Sequence, residues 1–329
     1  MSSIYYLSRV LIISLATTLV VAYPTLAKSV EDRGKAILVT GTSSGIGRNI
    51  AERLAVEGYF VYAGARKQKD LDALNALDNI EAIRLDVTVQ EEIDAAVKHI
   101  TAAGRGLHGL VNNAGVAVLG PLIELPEEEL HFQMNVNVYG VYRVSKAFAP
   151  LIMGSKGRII TIGSISGILA GPIGGAYSMS KHAVEAYTDS LAAEMSRFGV
   201  EVSVVEPGNY KSSISKNVMN RMLERGRTAK GSLFEKEMQG LMEGIANSQQ
   251  DQKEPDEVTD AVMHALFDAK PQRRYMVVPV EAQADITLRQ MFRELVQLNQ
   301  WPTYHYDRDK LVRMLDEVLA ESEKAKESR

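Results

Sequence analysis

A tyrosine and a lysine stand four residues apart in the segment AYSMSK, as Tyr177 and Lys181. On a helix, this spacing places the two side chains on one face, one turn apart. A free tyrosine has a pKa of about 10, and a nearby cation stabilises the phenolate and lowers that pKa. Such a pair is chemically suited to proton exchange near neutral pH, although most pairs of this kind are ordinary helix surface. The rest of the sequence must decide between these two interpretations.

The elements that would position this pair are short aliphatic strands alternating with amphipathic helices from residue 35 onward. The strands are mostly continuous hydrophobic runs, as expected when both faces of a sheet are covered. This alternation predicts an α/β fold with a doubly wound parallel sheet of about seven strands and helices on both faces. The predicted strands are residues 36–40, 60–64, 82–87, 109–113, 158–163, 201–207 and 274–279.

A glycine-rich turn, VTGTSSGIGRNIA, follows the first predicted strand and opens the first helix. Its glycines are Gly41, Gly45 and Gly47. A dinucleotide-binding turn needs residues without side chains, so that the backbone can approach a pyrophosphate and the helix can pack closely on the strand. The amide groups at the helix N-terminus then bind the phosphates. We therefore expect a dinucleotide cofactor.

The end of the second predicted strand distinguishes NAD from NADP. A carboxylate at that position would hold the ribose 2′-hydroxyl of NAD. Instead, Ala65 is followed by Arg66, whose guanidinium suits a 2′-phosphate. We therefore expect NADP(H) in preference to NAD(H). The alternative is that Arg66 is an ordinary surface arginine at a strand end.

The overall composition excludes several function classes. The chain has 329 residues, of which 46% are hydrophobic and 24% charged, so it can bury a sizeable core. A net charge of −4 without a long basic stripe argues against nucleic acid as a partner. The sequence has no cysteine, which excludes disulfides and thiolate chemistry, and its six histidines are scattered, so we expect no metal site.

The N-terminus contains an apolar run, residues 10–22, followed by Thr25-Leu26-Ala27, which would suit signal cleavage after Ala27. The run is short for a membrane span but long enough to anchor if it extends through Ala27. Because NADP(H) is kept inside cells, we favour a retained anchor, residues 10–27, with the catalytic domain facing the cytosol. Export after cleavage near Ala27 is the alternative. The predicted division is therefore an N-terminal segment (1–34), a catalytic domain (35–281) and a helical extension (282–329).

Several motifs in register resemble those of the short-chain dehydrogenases/reductases. The turn from Thr40 to Gly47 resembles the family's Thr-Gly-x-x-x-Gly-x-Gly signature, and NNAG (112–115) its sheet-stabilising motif. Ser164 precedes Tyr177 by 13 residues, the family's spacing, and the Tyr-x-x-x-Lys pair itself is present. The resemblance runs from about residue 35 to about residue 280. One departure is Ser212, where the family usually has threonine.

The resemblance implies a Rossmann-type fold and a role for each matching residue. Tyr177 would be the general acid/base and Lys181 would hold the nicotinamide ribose. Ser164 would hydrogen-bond the substrate oxygen, and Asn137 would hold a proton-relay water near Lys181. The implied cofactor contacts, together with Tyr177 and Lys181, are Gly41, Ser43, Ser44, Gly45, Ile46, Gly47, Arg66, Asp86, Val87, Asn113, Ala114, Gly115, Pro207, Gly208 and Ser212.

The expected activity is interconversion of an alcohol and a carbonyl. Residues 165–176 carry no charge and residues 211–250 are rich in methionine, so we expect a mobile lid and an apolar substrate such as a steroid, retinoid or fatty carbonyl. The alternative is that these methionines only pack against the sheet. A non-catalytic dinucleotide regulator and a sugar-nucleotide epimerase or dehydratase are the competing functions. Homo-oligomerisation stays open.

The helical extension has an amphipathic pattern of its own. Leu288, Met291, Phe292, Leu295 and Leu298 recur on one helical face. We expect this face to pack onto the catalytic domain rather than contact a membrane.

Overall fold

The computed structural model describes residues 34–248 and 252–328. Within these residues, seven strands form one sheet in which every neighbouring pair is parallel. The strands are β1 (Ala36–Thr40), β2 (Phe60–Ala65), β3 (Ile80–Arg84), β4 (Gly109–Asn112), β5 (Arg158–Ile162), β6 (Glu201–Pro207) and β7 (Arg274–Val277). Their order is β3-β2-β1-β4-β5-β6-β7. The predicted doubly wound α/β fold is confirmed.

Helices connect the strands and cover both faces of the sheet. In the described residues they are α1 (Gly45–Val56), α2 (Gln68–Asn75), α3 (Gln90–Ala103), α4 (Glu127–Met134), α5 (Val141–Ser155), α6 (Gly175–Met195), α7 (Ile214–Glu224), α8 (Glu235–Ser248), α9 (Asp256–Phe267), α10 (Glu281–Leu298) and α11 (Arg308–Ser328). A π-helical segment, Asn135–Gly140, joins α4 to α5.

Each sheet face has its own hydrophobic core, and β1 contributes to both. Ile37 and Val39 point into one core, formed with α1, α2 and α9. Ala36 and Leu38 point into the other, formed with α3, α5 and α6. Successive strand residues alternate between faces, so a strand buried on both sides is apolar throughout. This explains why the strands lack a polar–apolar alternation in the sequence.

The third strand ends earlier than the sequence predicts. Hydrophobic character continues through Leu85 and Val87, but the last pair in register joins Ala65 to Arg84. Beyond that pair, the Asp86 carboxylate accepts hydrogen bonds from the amide and the hydroxyl of Thr88, at 2.9 and 2.7 Å, and turns the chain. Asp86 and Val87 therefore lie in a loop at the carboxyl edge of the sheet, where ligands bind in open α/β folds.

The segment between β6 and α9 forms a small separate cover. Helices α7 and α8 pack around a third cluster of five buried residues, Ile173, Val218, Met222, Ala229 and Met238. Arg221 of α7 holds this cover through hydrogen bonds of 2.8 and 2.9 Å to the buried carboxylate of Glu129 in α4. The guanidinium also lies 3.6 Å from the centroid of the Phe132 ring.

The apolar face of α10 is not covered by the catalytic domain, contrary to the expectation from the sequence. Leu288, Met291, Phe292 and Leu295 are 44–53% exposed, and Leu298 is 81% exposed. Thr287 is the buried residue of this helix. None of the described helices is long and apolar enough to cross a membrane. The predicted anchor, residues 10–27, lies outside the described residues.

Candidate functional site

Helix α6 carries Tyr177 and Lys181 on one face at its start. Lys181 Nζ lies 5.7 Å from the centroid of the Tyr177 ring. The lysine side chain is buried and donates a hydrogen bond of 2.8 Å to the carbonyl oxygen of Ile162, the last residue of β5. This bond fixes the ammonium group at the carboxyl edge of the sheet, beside the phenol.

Ser164 follows β5 almost directly and precedes a 3₁₀ turn, Ile165–Gly167. Its Oγ accepts a hydrogen bond of 3.1 Å from the amide of Ser166, which restrains the side chain. The Ser164 hydroxyl is also close enough to the Tyr177 phenol to act on its pKa. A hydroxyl, a phenol and an ammonium group therefore meet where β5 and α6 come together.

Burial sets the protonation of this group of residues. It raises the pKa of Tyr177 above 10.0, and the Ser164 hydroxyl acts in the opposite direction but does not offset it. This direction is opposite to the lowering expected from the Tyr–Lys spacing, because desolvation of the phenolate is the larger effect. Burial also lowers the pKa of Lys181 to about 8, against the charge of Glu185, which raises it. At pH 7 the site therefore holds a phenol and an ammonium ion.

Asn137 lies beside this group without lining the cavity that the group faces. It sits in the π-helical segment, a local irregularity that often marks functional sites. Its Oδ1 accepts a hydrogen bond of 2.8 Å from the amide of Val116, and its Nδ2 donates to Val116 O and Ser180 Oγ at 2.9 and 3.0 Å. Asn137 thus links the loop after β4 to α6. Its contact on α6 is Ser180, which lies between Tyr177 and Lys181 in the sequence.

The glycine-rich turn forms a close-fitting loop between β1 and α1. A methyl group at Gly47 would lie 2.2 Å from Asn113 Nδ2 and 2.5 Å from Gly41 O. Asn113 Nδ2 donates hydrogen bonds of 2.9 and 3.1 Å to the carbonyl oxygens of Thr40 and Gly41, so the loop after β4 braces the turn. Gly41 and Gly45 adopt positive φ angles of 71° and 60°, which glycine tolerates best.

The first turn of α1 is suited to a phosphate group. Within this helix, the N-cap Ser44 makes no side-chain capping bond and the first turn has no acidic residue. Its amide groups and the positive end of the helix dipole are therefore available for an anion. Together with the space that Gly41 and Gly47 leave, this arrangement fits the pyrophosphate of a dinucleotide.

Arg66 and Asp86 stand together where β2 and β3 end. Arg66 Nη1 lies 3.5 Å from Asp86 Oδ2, and the arginine side chain is 60% exposed. Burial opposes ionisation of Asp86, but the two hydrogen bonds from Thr88 and the charge of Arg66 outweigh it, so the pKa of Asp86 is below its usual value. The loose ion pair leaves the guanidinium accessible to a second anion.

One cavity of about 590 Å³ joins these features. We call its polar side, built from the loops after the strands and the start of α6, the dinucleotide wall. All predicted site residues except Asn137 line the cavity. They are Gly41, Ser43, Ser44, Gly45, Ile46, Gly47, Arg66, Asp86, Val87, Asn113, Ala114, Gly115, Ser164, Tyr177, Lys181, Pro207, Gly208 and Ser212.

A second group of lining residues, which we call the substrate wall, is apolar and is interspersed along the chain with polar lining residues such as Ser215 and Asn217. It consists of Ala117, Leu119, Ile165, Leu169, Ile214, Val218, Leu241 and Ile245. The methionine-rich segment 211–250 contributes Ile214, Val218, Leu241 and Ile245 to this wall, whereas Met222 and Met238 are buried in the cluster beneath the cover. Their burial there, rather than against the sheet, follows from a contact between α7 and α8 that the sequence pattern does not reveal.

Sequence reasoning missed a buried ionic group behind Lys181. Glu185 lies one turn further along α6, Glu206 lies in β6, and Arg274 in β7 contacts both. Both glutamates are buried. An acid four residues after Lys181 was the available signal, but the sequence does not show that it is buried.

Comparison with known proteins agrees with this geometry. A family model described as short chain dehydrogenase matches residues 35–222. The chain is 36% identical over 265 residues to the mitochondrial D-beta-hydroxybutyrate dehydrogenase of Mus musculus, which covers 74% of this chain and 76% of that protein. It is 33% identical over 255 residues to retinol dehydrogenase 7 of Rattus norvegicus, covering 73% and 80% of the two chains.

A solved structure resembles the fold over most of its length. A metagenomic short-chain oxidoreductase in complex with NADP superposes with a TM-score of 0.58 at 27% identity, covering 75% of this chain and 98% of that one.

Proposed function

Since the chain belongs to the short-chain dehydrogenase family and is an oxidoreductase that acts on CH–OH groups, we propose that it uses NADP(H) to interconvert an apolar alcohol and its carbonyl. The observation that carries this proposal is the single cavity, in which a glycine-rich loop and the Tyr177–Lys181–Ser164 group face an apolar wall. The bound dinucleotide would supply or accept the hydride.

In this proposal, Tyr177 gives a proton to the carbonyl oxygen during reduction and takes it back during oxidation. Ser164 orients that oxygen by a hydrogen bond, and the Lys181 ammonium stabilises the phenolate as it forms. Asn137 contributes by holding Val116 and Ser180, and with them the start of α6, in place. A role in holding a relay water near Lys181 remains part of the proposal for this residue.

The preference for NADP(H) rests on Arg66. An accessible guanidinium at the end of β2 suits a 2′-phosphate, and no carboxylate stands at that strand end to hold a ribose 2′-hydroxyl. We expect NADPH to bind at least about tenfold more tightly than NADH, because a charge-assisted hydrogen bond contributes about 1.5–3 kcal/mol. Titration of the enzyme with both dinucleotides tests this, and equal or tighter binding of NADH contradicts it.

The substrate class is inferred from the charge of the cavity. Among the described residues that line it, the cations are Arg66 and Lys181, which we assign to the cofactor and to proton transfer. A carboxylate substrate at the apolar wall would therefore lack a cationic partner, and an unpaired buried charge costs several kcal/mol. The similarity to a hydroxybutyrate dehydrogenase makes a hydroxy acid the second candidate.

A panel of carbonyl compounds separates the two candidates. We expect NADPH oxidation with retinaldehyde, a ketosteroid or a long-chain aldehyde to exceed that with acetoacetate by at least about 100-fold in kcat/KM, which corresponds to about 2.7 kcal/mol. Tyr177→Phe protein serves as the control for background oxidation. A higher kcat/KM for acetoacetate would establish the hydroxy-acid candidate.

For the N-terminus, we propose that residues 10–27 hold the catalytic domain at a membrane, with the domain facing the cytosol. Support comes from the apolar run and from Lys28, Arg33 and Lys35, which follow it in agreement with the positive-inside tendency. N-terminal sequencing of the mature protein tests this, because a start just after Ala27 would instead indicate cleavage and export. We keep the division at residues 34 and 281 as part of this proposal.

A further inference from the structure

Two buried glutamates lie behind the proton-transfer residues. Glu185 is 9% exposed and stands one helical turn after Lys181, and Glu206, near the end of β6, is 2% exposed. Burying a charge is costly unless it is paired and hydrogen-bonded. Two such groups next to the site therefore need a cationic partner or a shared proton to be stable there.

Arg274 balances only part of this charge. Its Nε lies 3.3 Å from Glu185 Oε2 and 3.3 Å from Glu206 Oε1, and its Nη2 lies 2.7 Å from Asp189 Oδ2. One guanidinium thus faces three carboxyl groups. Burial and the neighbouring charge of Glu185 raise the pKa of Glu206 to about 8. Burial raises the pKa of Glu185 as well, although Glu206 and the charge of Arg274 act in the opposite direction, so the two neighbouring carboxyl groups hold a proton more readily than exposed ones.

The Glu185 carboxylate is directed toward the catalytic serine turn. Glu185 Oε1 is buried and has no hydrogen-bond partner among the described residues. A methyl group on either Gly163 or Gly167, the two glycines that flank the Ser164 turn, would come 2.8 Å from this oxygen. The turn can therefore approach the carboxylate closely because both positions are glycine.

The charged and titratable groups around Glu185 come from three elements. Helix α6 contributes Lys181 and Asp189, β6 contributes Glu206, and β7 contributes Arg274. The 3₁₀ turn of Ile165–Gly167 carries no titratable side chain, and α4 meets α6 through the neutral Gln133. In this set, Glu185 is the group whose negative charge acts on Lys181.

We propose that Glu185 is a positioning residue of the proton-transfer site: its carboxyl group supplies a negative charge one helical turn from Lys181 and supports the turn that carries Ser164 through its close approach to Gly163 and Gly167. This inference rests on the proposed roles of Lys181 and Ser164. It explains why the chain keeps an acid pair in a buried position where two apolar side chains would pack without a desolvation cost.

The direct test is the protonation of Lys181, which can be measured without a substrate. In protein labelled with [¹³C]lysine, the Lys181 resonance is assigned by its loss in Lys181→Arg and followed by NMR as a function of pH. In Glu185→Gln, we expect the midpoint of the Lys181 titration to fall by about one pH unit. The reason is that the variant lacks the negative charge that offsets the desolvation of the ammonium group.

Two matched variants serve as controls. Glu206→Gln can donate a hydrogen bond to Glu185, and Asp189→Asn removes an Arg274 partner at the exposed end of the cluster. We expect each to move the Lys181 midpoint by less than about 0.3 pH unit. An unchanged midpoint in Glu185→Gln, or equal shifts in all three variants, would overturn the proposal.

A second variant covers the case in which Glu185→Gln does not fold. Gly167→Ala places a methyl group 2.8 Å from Glu185 Oε1 and 2.9 Å from its Cγ, so the carboxyl group must move. We expect the Lys181 midpoint to fall in this variant as well, and an unchanged midpoint in the folded variant counts against the proposal.

The effect on catalysis is measured as NADPH oxidation at saturating NADPH, with the carbonyl compound that gives the highest kcat/KM in the panel above. In Glu185→Gln, the alkaline limb of the kcat–pH profile should move down by about one unit, together with the NMR midpoint. A moved midpoint with an unmoved limb overturns the positioning role. If the proposed function is wrong, Tyr177→Phe keeps full activity. The NMR result does not depend on that outcome.

Discussion

The two walls of the cavity are built in different ways. The dinucleotide wall consists of short loops that leave the carboxyl ends of parallel strands, so its residues are held by the two main cores of the domain. The substrate wall depends on α7 and α8, which pack on a third cluster of five buried residues and are linked to α4 by Arg221 and Glu129. The residues of the proposed chemistry are thus supported by the two large cores, and the apolar wall by the smallest of the three buried clusters.

The two walls should respond differently to amino-acid substitutions. On the dinucleotide wall, a methyl group added at Gly41 or Gly47 would collide with backbone atoms. On the substrate wall, apolar side chains meet a cavity, and a substitution changes complementarity without forcing the backbone to move. We therefore expect large effects on turnover or cofactor affinity from the first wall and modest effects on KM from the second.

The largest effect is expected at Tyr177. Tyr177→Phe removes the proton donor but keeps the ring, so turnover should fall by about 1,000-fold or more while NADPH affinity stays within about twofold. Single-turnover kinetics and NADPH fluorescence titration measure the two quantities. Near-normal turnover would remove Tyr177 from the chemistry of the dinucleotide wall.

Gly47 tests the close packing of the same wall. In Gly47→Ala the new methyl group would meet Asn113 Nδ2 at 2.2 Å and Gly41 O at 2.5 Å. We expect NADPH affinity to fall by about 100-fold, as overpacking of a close-packed site costs up to about 3 kcal/mol. Gly154→Ala is the matched control, because a methyl group there meets nothing within 4 Å. Equal affinities in the two variants would contradict the close fit.

Arg66 tests the outer end of the wall. Arg66→Ala should weaken NADPH binding by about tenfold and leave NADH binding unchanged, because only the 2′-phosphate would contact the guanidinium. Arg84→Ala removes another exposed arginine that pairs with an acid, Glu92, and serves as the control. A similar loss for both dinucleotides would mean that Arg66 acts through its ion pair with Asp86 instead.

The smallest effect is expected on the substrate wall. Leu241→Asn places an amide on the cavity surface, and KM for an apolar carbonyl should rise by about fivefold with kcat and NADPH affinity unchanged, the result of losing about 1 kcal/mol of apolar contact. Leu233→Asn, at a residue that is 82% exposed in the same segment, should have no effect. A large loss of kcat in Leu241→Asn would show that the two walls are mechanically coupled.

Much of the dinucleotide wall could be predicted from the sequence because its signals are local. Glycine spacing after a buried strand, a tyrosine and a lysine one turn apart, and an arginine at a strand end each depend on a few neighbouring residues. The sequence also indicates Asp86, although the predicted strand ends three residues beyond the observed one, because the Asp86 side chain itself makes the turn there.

The sequence by itself therefore determined the doubly wound sheet, the glycine-rich loop and the alignment of Tyr177 with Lys181. Only the tertiary structure decided that Glu206 and Arg274 meet Glu185 behind the lysine, that Asn137 is bonded to Val116 and Ser180, and that the methionines pack beneath the cover. The reason is physical: backbone geometry and hydrophobic period repeat over a few residues, whereas desolvation and the pairing of buried charges depend on groups brought together from distant strands and helices.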